Sequence, residues 1–89
     1  MSANRNEQEQ APSDLAVLAA ERLDCPVSAL RQAPCTDAGP HAPEGAWFFW
    51  TGGRGDGRLL VSPSHETLWA ASSVSPRRHL KAFLAGKRS

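Results

Sequence analysis

The run of four aromatic residues Trp47-Phe48-Phe49-Trp50 constrains the fold of this chain more than any other feature. Side chains alternate across a strand, so Trp47 and Phe49 face one side of a sheet while Phe48 and Trp50 face the other. Two bare rings on one face would expose on the order of 300 Å² and, at about 25 cal/mol per Å², forfeit several kcal/mol. A small domain has only about 5–15 kcal/mol of stability. Either helices of the domain therefore cover both faces, or a second chain or a ligand covers one of them.

The length of 89 residues predicts one small domain, close to the smallest size at which a single core is enough. Residues 1–11 are polar and predict a disordered tail, which leaves 12–89 as the folded unit. The chain shows neither a signal-peptide pattern nor an apolar window of membrane-spanning length, which predicts a cytoplasmic protein without membrane association. The lack of Ile and Tyr beside many Ala, Arg, Pro and Gly is typical of a GC-rich bacterial genome.

Two helices are predicted near the ends of the folded unit. Pro12-Ser13-Asp14 begins the first, with Ser13 or Asp14 as a cap, and Asp24-Cys25-Pro26 ends it. A short helical turn follows from Pro26 to about Gln32. Ser75-Pro76 begins the last helix and Gly86 fits its C-cap. The apolar stripes are Leu15, Leu18, Ala19 and Leu23 in the first helix and Leu80, Phe83 and Leu84 in the last.

Three strands are predicted at about Ala46–Thr51, Arg58–Ser62 and Thr67–Ser72. The Gly-rich residues 52–57 join the first two strands, and residues 63–66 join the second to the third, which gives an antiparallel meander. The preceding segment, Ala33 to Gly45, is rich in proline and predicts a long loop. The expected fold is α+β, with the last helix, and also the first, packed on a three-stranded antiparallel sheet.

The net charge of +1 argues against a dedicated nucleic-acid binder and for a near-neutral surface. Arg77, Arg78 and Lys81 are predicted to share the outward side of the last helix, either solvated or facing an acidic partner protein. Aromatic residues are not interleaved with these bases as a single-strand binder requires, so nucleic-acid binding is disfavoured.

The residues with chemical potential do not form a recognisable site. Cys25, Cys35, His41 and His65 have the atom types of zinc ligands but lack the close pair spacing of a structural site, so neither a metal nor a cofactor is expected. Both cysteines are expected as thiols, with Cys35 the better candidate for a Cys–His nucleophile. In the simpler interpretation, Cys25 packs as a small apolar residue at the end of the helix and Cys35 is incidental. The residues Ser62, Ser64, His65 and Glu66 indicate a polar turn, and His79 a boundary position on the last helix.

The glycine-rich segment also invites a phosphate-binding interpretation, because bare backbone N–H groups can surround an anion. Residues 52–57 lead into a strand, however, whereas the phosphate-binding fingerprints open a helix. The segment therefore predicts a flexible hairpin turn.

The second half of the chain resembles the YrhB-like toxin-immunity domains. The residues that carry the resemblance are Gly45-Ala46-Trp47-Phe48-Phe49-Trp50, Leu59-Leu60-Val61-Ser62-Pro63, Thr67-Leu68-Trp69 and a closing helix with Pro76, His79, Leu80 and Phe83. In that family a Gly-Trp-aromatic-aromatic strand precedes a strand that ends in a hydrophobic triplet. The resemblance implies a small α+β domain that binds another protein without catalysis, as immunity proteins block toxins.

The functional hypothesis is a non-catalytic protein-binding module that uses an aromatic sheet face. Its expected partner is another protein or a second copy of the chain, bound by Trp47, Phe48, Trp50, Trp69, Arg77, Arg78 and Lys81. The alternative is a small accessory enzyme or ligand-binding protein of bacterial specialised metabolism. In that alternative, a pocket near the Pro-rich loop takes a small molecule and uses Cys35, His41 or His65.

Overall fold

The structure, a computed structural model, describes residues 10–52 and 57–89, which form an antiparallel sheet between two α-helices. The helices are α1, Ser13–Leu23, and α2, Pro76–Leu84. The strands are β1, Arg31–Pro34, β2, Trp47–Trp50, β3, Arg58–Val61, and β4, Thr67–Ala70. Single 3-10 turns lie at Val27–Ala29 and Cys35–Asp37. The spatial order β1-β2-β3-β4 follows the chain, which confirms the predicted α+β meander and adds one strand to it.

The added strand, β1, corrects the predicted helical turn to Gln32 and the loop from Ala33. Arg31 pairs with Trp50, and the register runs to Pro34 opposite Trp47. Leu30 has extended backbone and packs against the core beneath α1, which brings the next residues to the open edge of β2. The ladder continues with the Cys35 N–H donating to the Ala46 carbonyl at 3.0 Å. Because bonding alternates along an antiparallel pair, the nitrogen of Pro34 faces away from β2, where its missing N–H breaks no ladder bond.

The two helices lie on opposite faces of the sheet. Helix α1 packs on β2 and β3 over a core made of Leu15, Ala19, Trp47, Phe49, Leu59 and Val61. Helix α2 packs mainly on β3 and β4 over a core made of Cys35, Ala46, Phe48, Leu60, Leu68, Leu80 and Phe83. Domain helices therefore pack on both faces of the sheet and bury Trp47, Phe48 and Phe49, whereas Trp50 stays half-buried.

The ends of α2 follow the predicted local chemistry. The Ser75 side chain caps the helix by accepting the Arg78 N–H at 3.3 Å, with Pro76 in the first turn. Gly86 has a φ of +100° and donates its N–H to the Phe83 carbonyl at 3.0 Å. At the start of α1 the expected cap is replaced, because Pro12 is the N-cap residue and the Asp14 carboxylate bonds to His65 at 2.9 Å.

The last residues of the chain lie along the outer edge of β4. Ser89 exchanges backbone and side-chain hydrogen bonds with Thr67, and its Oγ accepts the Trp69 N–H at 2.8 Å. The Arg88 guanidinium lies 3.7 Å from the Phe83 ring centroid and 2.9 Å from the Glu66 carboxylate. These contacts occupy backbone groups that β4 would otherwise present to solvent.

Two sequence predictions fall largely outside the described residues. Of the predicted tail, residues 1–9 are outside, whereas Ala11 donates its N–H to the Gln32 side chain at 3.3 Å and packs beside α1. Of the predicted hairpin turn, residues 53–56 are outside. No helix within 10–52 and 57–89 combines the length and the apolar character needed to cross a membrane.

Candidate binding site

A groove remains on the α2 face because that helix lies mainly over β3 and β4. Its volume is about 400 Å³. Phe48 and Trp50 of β2 belong to its lining, together with backbone at Gly52 and Gly57. The other lining residues are Ala33, Asp37, Ala38, Arg58, Ser72 and Pro76. Among residues 10–52 and 57–89, the groove therefore combines aromatic surface with the cationic Arg58 and the anionic Asp37.

Arg58 fixes a positive charge in the wall of the groove. Its Nε donates to Nδ1 of His79 at 3.2 Å, its Nη2 donates to the Val74 carbonyl, and its guanidinium lies 5.4 Å from the Phe48 ring centroid. Burial lowers the pKa of Arg58, but a guanidinium stays protonated in proteins. Ion pairs between residues that the structure describes are His65–Asp14 and Arg88–Glu66, and neither includes Arg58.

His79 is buried, with 1% of its surface exposed, which corrects the predicted boundary position. Its Nε2 lies 2.6 Å from the Leu68 carbonyl, which only accepts, so Nε2 carries the proton and Nδ1 accepts from Arg58. Burial lowers the pKa of His79, and the neighbouring Arg58 charge acts in the same direction against the opposing Leu68 hydrogen bond. Both ring nitrogens are engaged, so this imidazole is neutral and structural.

Cys35 is a buried thiol in the core beneath α2. Burial raises its pKa to about 12, and the Arg58 charge offsets only part of that effect. Because the thiolate is the nucleophilic form, Cys35 is inert at neutral pH. Both cysteines are free thiols, and Cys25 is partly exposed at the end of α1.

We expect the two thiols to react at very different rates. With a thiol reagent such as dithionitrobenzoate at pH 8, Cys25 should be modified in the native protein, and Cys35 only at the rate of unfolding. A Cys25→Ser variant should then show almost no fast phase, whereas Cys35→Ser should keep it. Fast labelling of Cys35 in folded Cys25→Ser would contradict the burial described here.

The structure separates the predicted partner-binding residues instead of gathering them. Trp47 and Phe48 are buried beneath α1 and α2 respectively, and Trp50 is half-buried in the groove. Trp69 is 48% exposed. It pairs with Leu59 and so lies on the opposite face, where its indole ring covers Gly57 at 2.5 Å from the position a Cβ would take.

The predicted basic residues Arg77, Arg78 and Lys81 are exposed on α2. Arg77 and Lys81 border a second cavity of about 260 Å³, formed with the Pro-rich loop and including Pro40, His41 and Leu84. They do not line the groove at Trp50. The predicted partner-binding residues therefore lie on at least three separate surfaces.

The other chemical candidates are also apart. His65 pairs with Asp14, and Ser62 Oγ lies 2.8 Å from Ser64 Oγ and accepts the Glu66 N–H, which stabilises the turn before β4. Within the part of the chain that the structure describes, no group of three or more His, Cys, Asp or Glu side chains is arranged to hold a metal ion. Cys35, His41 and His65 do not meet in one pocket.

No family model, curated protein or solved structure matches this chain. The resemblance to immunity domains therefore stays a prediction from the sequence.

The sequence predicted Phe48 and Trp50 as binding residues but not the groove residues Ala33, Asp37, Arg58 and Pro76. The sequence does contain a signal that places Arg58 on this face. Arg58 precedes the apolar run Leu59-Leu60-Val61, and its period-two alternation with Leu60 places a charge on the same face as Phe48.

Proposed function

We propose that this protein is a non-catalytic binding module that takes an apolar segment of another protein into the groove at Trp50. The observation that carries the proposal is the position of α2, which leaves the ring of Trp50 half-buried at the surface of a 400 Å³ groove, with the buried Phe48 beneath it. Tryptophan is among the residues that contribute most to protein–protein binding energy when it lies in a pocket.

The chemistry around the groove supports binding more than covalent catalysis. His79 has both nitrogens engaged, and the Cys35 thiol has a pKa of about 12. A histidine base needs a free ring nitrogen within reach of the proton that it takes, and a cysteine nucleophile needs a thiolate at working pH. His79 and Cys35 meet neither requirement, and the titratable side chains among the described lining residues are Asp37 and Arg58.

The class of partner follows from the resemblance and stays within this proposal. If the chain acts as immunity domains do, the bound segment belongs to a toxin in the same cytoplasm. A second copy of this chain is the other protein partner that the aromatic surface suggests. Both would place an apolar side chain against Trp50.

The test is a selection of random displayed peptides on the immobilised protein, followed by NMR mapping of enriched peptides on ¹⁵N-labelled protein. We expect shifts at the Trp50 indole N–H and at the amides of Ala33, Ala38 and Ser72. Trp50→Ala should weaken binding by about tenfold or more, and Trp69→Ala, an exposed tryptophan on the other face, should not. Peptides that bind Trp50→Ala and wild type equally would refute the proposal.

The size of the groove favours one further candidate, a small-molecule binding protein. Its volume of about 400 Å³ lies within the range of about 300–1,000 Å³ typical of ligand sites. Asp37 and Ala38, which lie in the predicted Pro-rich segment, are among its lining residues. A screen of small aromatic fragments, followed by the same NMR shifts, distinguishes the two proposed functions. If the protein binds a small molecule, a free fragment should bind as tightly as any peptide that contains the same group.

A further inference from the structure

Arg58 places a positive charge in the groove, and a purely apolar bound segment would make no ionic contact with it. A guanidinium has five N–H donors, and the bonds to His79 and Val74 use two of them. The charge is half-buried beside the Phe48 ring, and no ion pair within residues 10–52 and 57–89 includes it. A partly desolvated cation of this kind gains strongly from a carboxylate, which guanidinium binds through two parallel hydrogen bonds.

Among the described residues, two further charges act at the groove beside Arg58. Pro76 brings the first turn of α2 to the groove, and the positive end of that helix dipole adds to the attraction. Asp37 is exposed on the same lining and contributes one negative charge. Asp37 therefore offsets part of the attraction that Arg58 and the helix offer to an anion.

The distances favour a carboxylate and an apolar side chain that belong to one residue. The Arg58 guanidinium lies 5.4 Å from the Phe48 ring centroid, and Phe48, Trp50 and Arg58 line one groove of about 400 Å³. The last residue of a protein chain carries its α-carboxylate and its side chain on one Cα. An internal Asp or Glu would need a second residue for the apolar contact and room for chain on both sides.

We infer that the groove binds the carboxyl-terminal residue of a partner protein, with its α-carboxylate on Arg58 and an apolar or aromatic side chain against the half-buried ring of Trp50. This inference rests on the proposed function, since it names the kind of segment that the groove takes. The binding is a reversible association without a covalent step.

The test uses two peptides, acetyl-Gly-Ser-Gly-Ala-Ala-Phe with a free carboxylate and the same peptide as a carboxamide. Each is titrated into the full ¹⁵N-labelled chain, and the Trp50 indole and Arg58 Nε–H signals are followed. We expect the acid to bind at least about tenfold more tightly than the amide, in line with the strength of charge-assisted bonds. Arg58→Gln should abolish that preference while Trp50→Ala weakens both peptides.

Arg58 also donates a hydrogen bond to His79, so Arg58→Gln can unfold the protein. A second variant, at Asp37, tests the inference independently of that effect. Asp37 is exposed, so Asp37→Asn should leave the fold intact, as thermal melting will verify. Removing its charge should strengthen binding of the acid by about two- to fivefold and leave the amide unchanged. Equal effects of Asp37→Asn on acid and amide would overturn the inference.

The remaining outcomes separate this inference from the proposed function. If the acid and the amide bind wild type with equal affinity and shift the Trp50 signal, recognition of the carboxylate by Arg58 is wrong, and the groove remains a protein-binding site. Absence of binding by both peptides would also overturn the inference, and the displayed-peptide selection then decides the proposed function by itself. If N-acetylphenylalanine binds as tightly as the acid peptide, the ligand is a small carboxylate, and the inference that it is the carboxyl terminus of a protein is wrong.

Discussion

Replacing Phe49 with alanine is expected to remove about 3–5 kcal/mol from the free energy of unfolding. The ring is fully buried, with 0% exposure, in the core that α1 forms with the sheet. Its loss leaves a cavity between Leu15 and the strand that neighbouring side chains cannot fill without moving the helix. Since a domain of this size has about 5–15 kcal/mol in all, much of the stability should disappear. Urea denaturation followed by far-UV circular dichroism measures the change.

The matched control for Phe49→Ala is Val17→Ala. Val17 lies on α1 but is 47% exposed, and alanine is a better helix former, so the change should stay within about 0.5 kcal/mol. A loss of less than about 1.5 kcal/mol for Phe49→Ala would show that α1 does not cover this face of the sheet as described.

The second expected result is a fall in stability as pH decreases below 6.5, caused by His79. Burial lowers the pKa of His79 from its ordinary value of 6.5. Below pH 6.5 the unfolded chain therefore binds a proton that the folded protein excludes. The free energy of unfolding should then fall by about 1.4 kcal/mol per pH unit, until the pH reaches the folded-state pKa. Above pH 6.5 this contribution is fully present.

The charges that face His79 help to assign this effect. Arg58 stays a cation throughout, and the Cys35 thiol, with a pKa of about 12, stays neutral. The lowered pKa of Asp14, caused mainly by its hydrogen bond to His65, acts only below its ordinary value of 3.8. Urea denaturation between pH 7.5 and pH 5 covers the relevant window.

The control is His79→Gln, which keeps a donor and an acceptor but does not titrate. The difference in stability between wild type and His79→Gln should shrink steadily as pH falls from 6.5, because only the wild type loses the His79 contribution. His41 and His65 are present in both proteins and cancel from that difference. Parallel pH profiles for the two proteins would show that His79 is not buried as a neutral ring.

The parts of the fold that local chemistry dictates were predictable from the sequence. The alternation of Trp47 and Phe49 against Phe48 and Trp50 follows from the period of a strand, and the structure confirms it. Ser75-Pro76 and Gly86 mark the ends of α2 through capping and a left-handed backbone, which are local effects. The order of β2, β3 and β4 follows from short turns.

The strand β1 was not predictable in this way. Its sequence, Arg31-Gln32-Ala33-Pro34, contains no β-branched residue and ends in proline, so local preference argues against a strand. It is extended because Leu30 packs into the core and because the outer edge of β2 offers backbone partners. Those causes are tertiary.

The groove could not be predicted from the sequence for a similar reason. Period-two alternation puts Phe48 and Trp50 on one face, but which ring stays open depends on where α2 crosses the sheet. That position is set by Leu80 and Phe83 packing on β3 and β4, far away in the chain. The burial of His79 has the same origin, because the Leu68 carbonyl and Arg58 that satisfy it come from two strands.

The proline in the outermost strand also affects how copies of this chain can aggregate. A strand that approached the free side of β1 would find no N–H at Pro34, near the end of a four-residue strand. Continuous edge-to-edge stacking, the geometry of cross-β fibrils, needs an unbroken row of donors and acceptors. On this side the folded protein is a poor template for fibril growth, although its most aromatic strand is only one position further in.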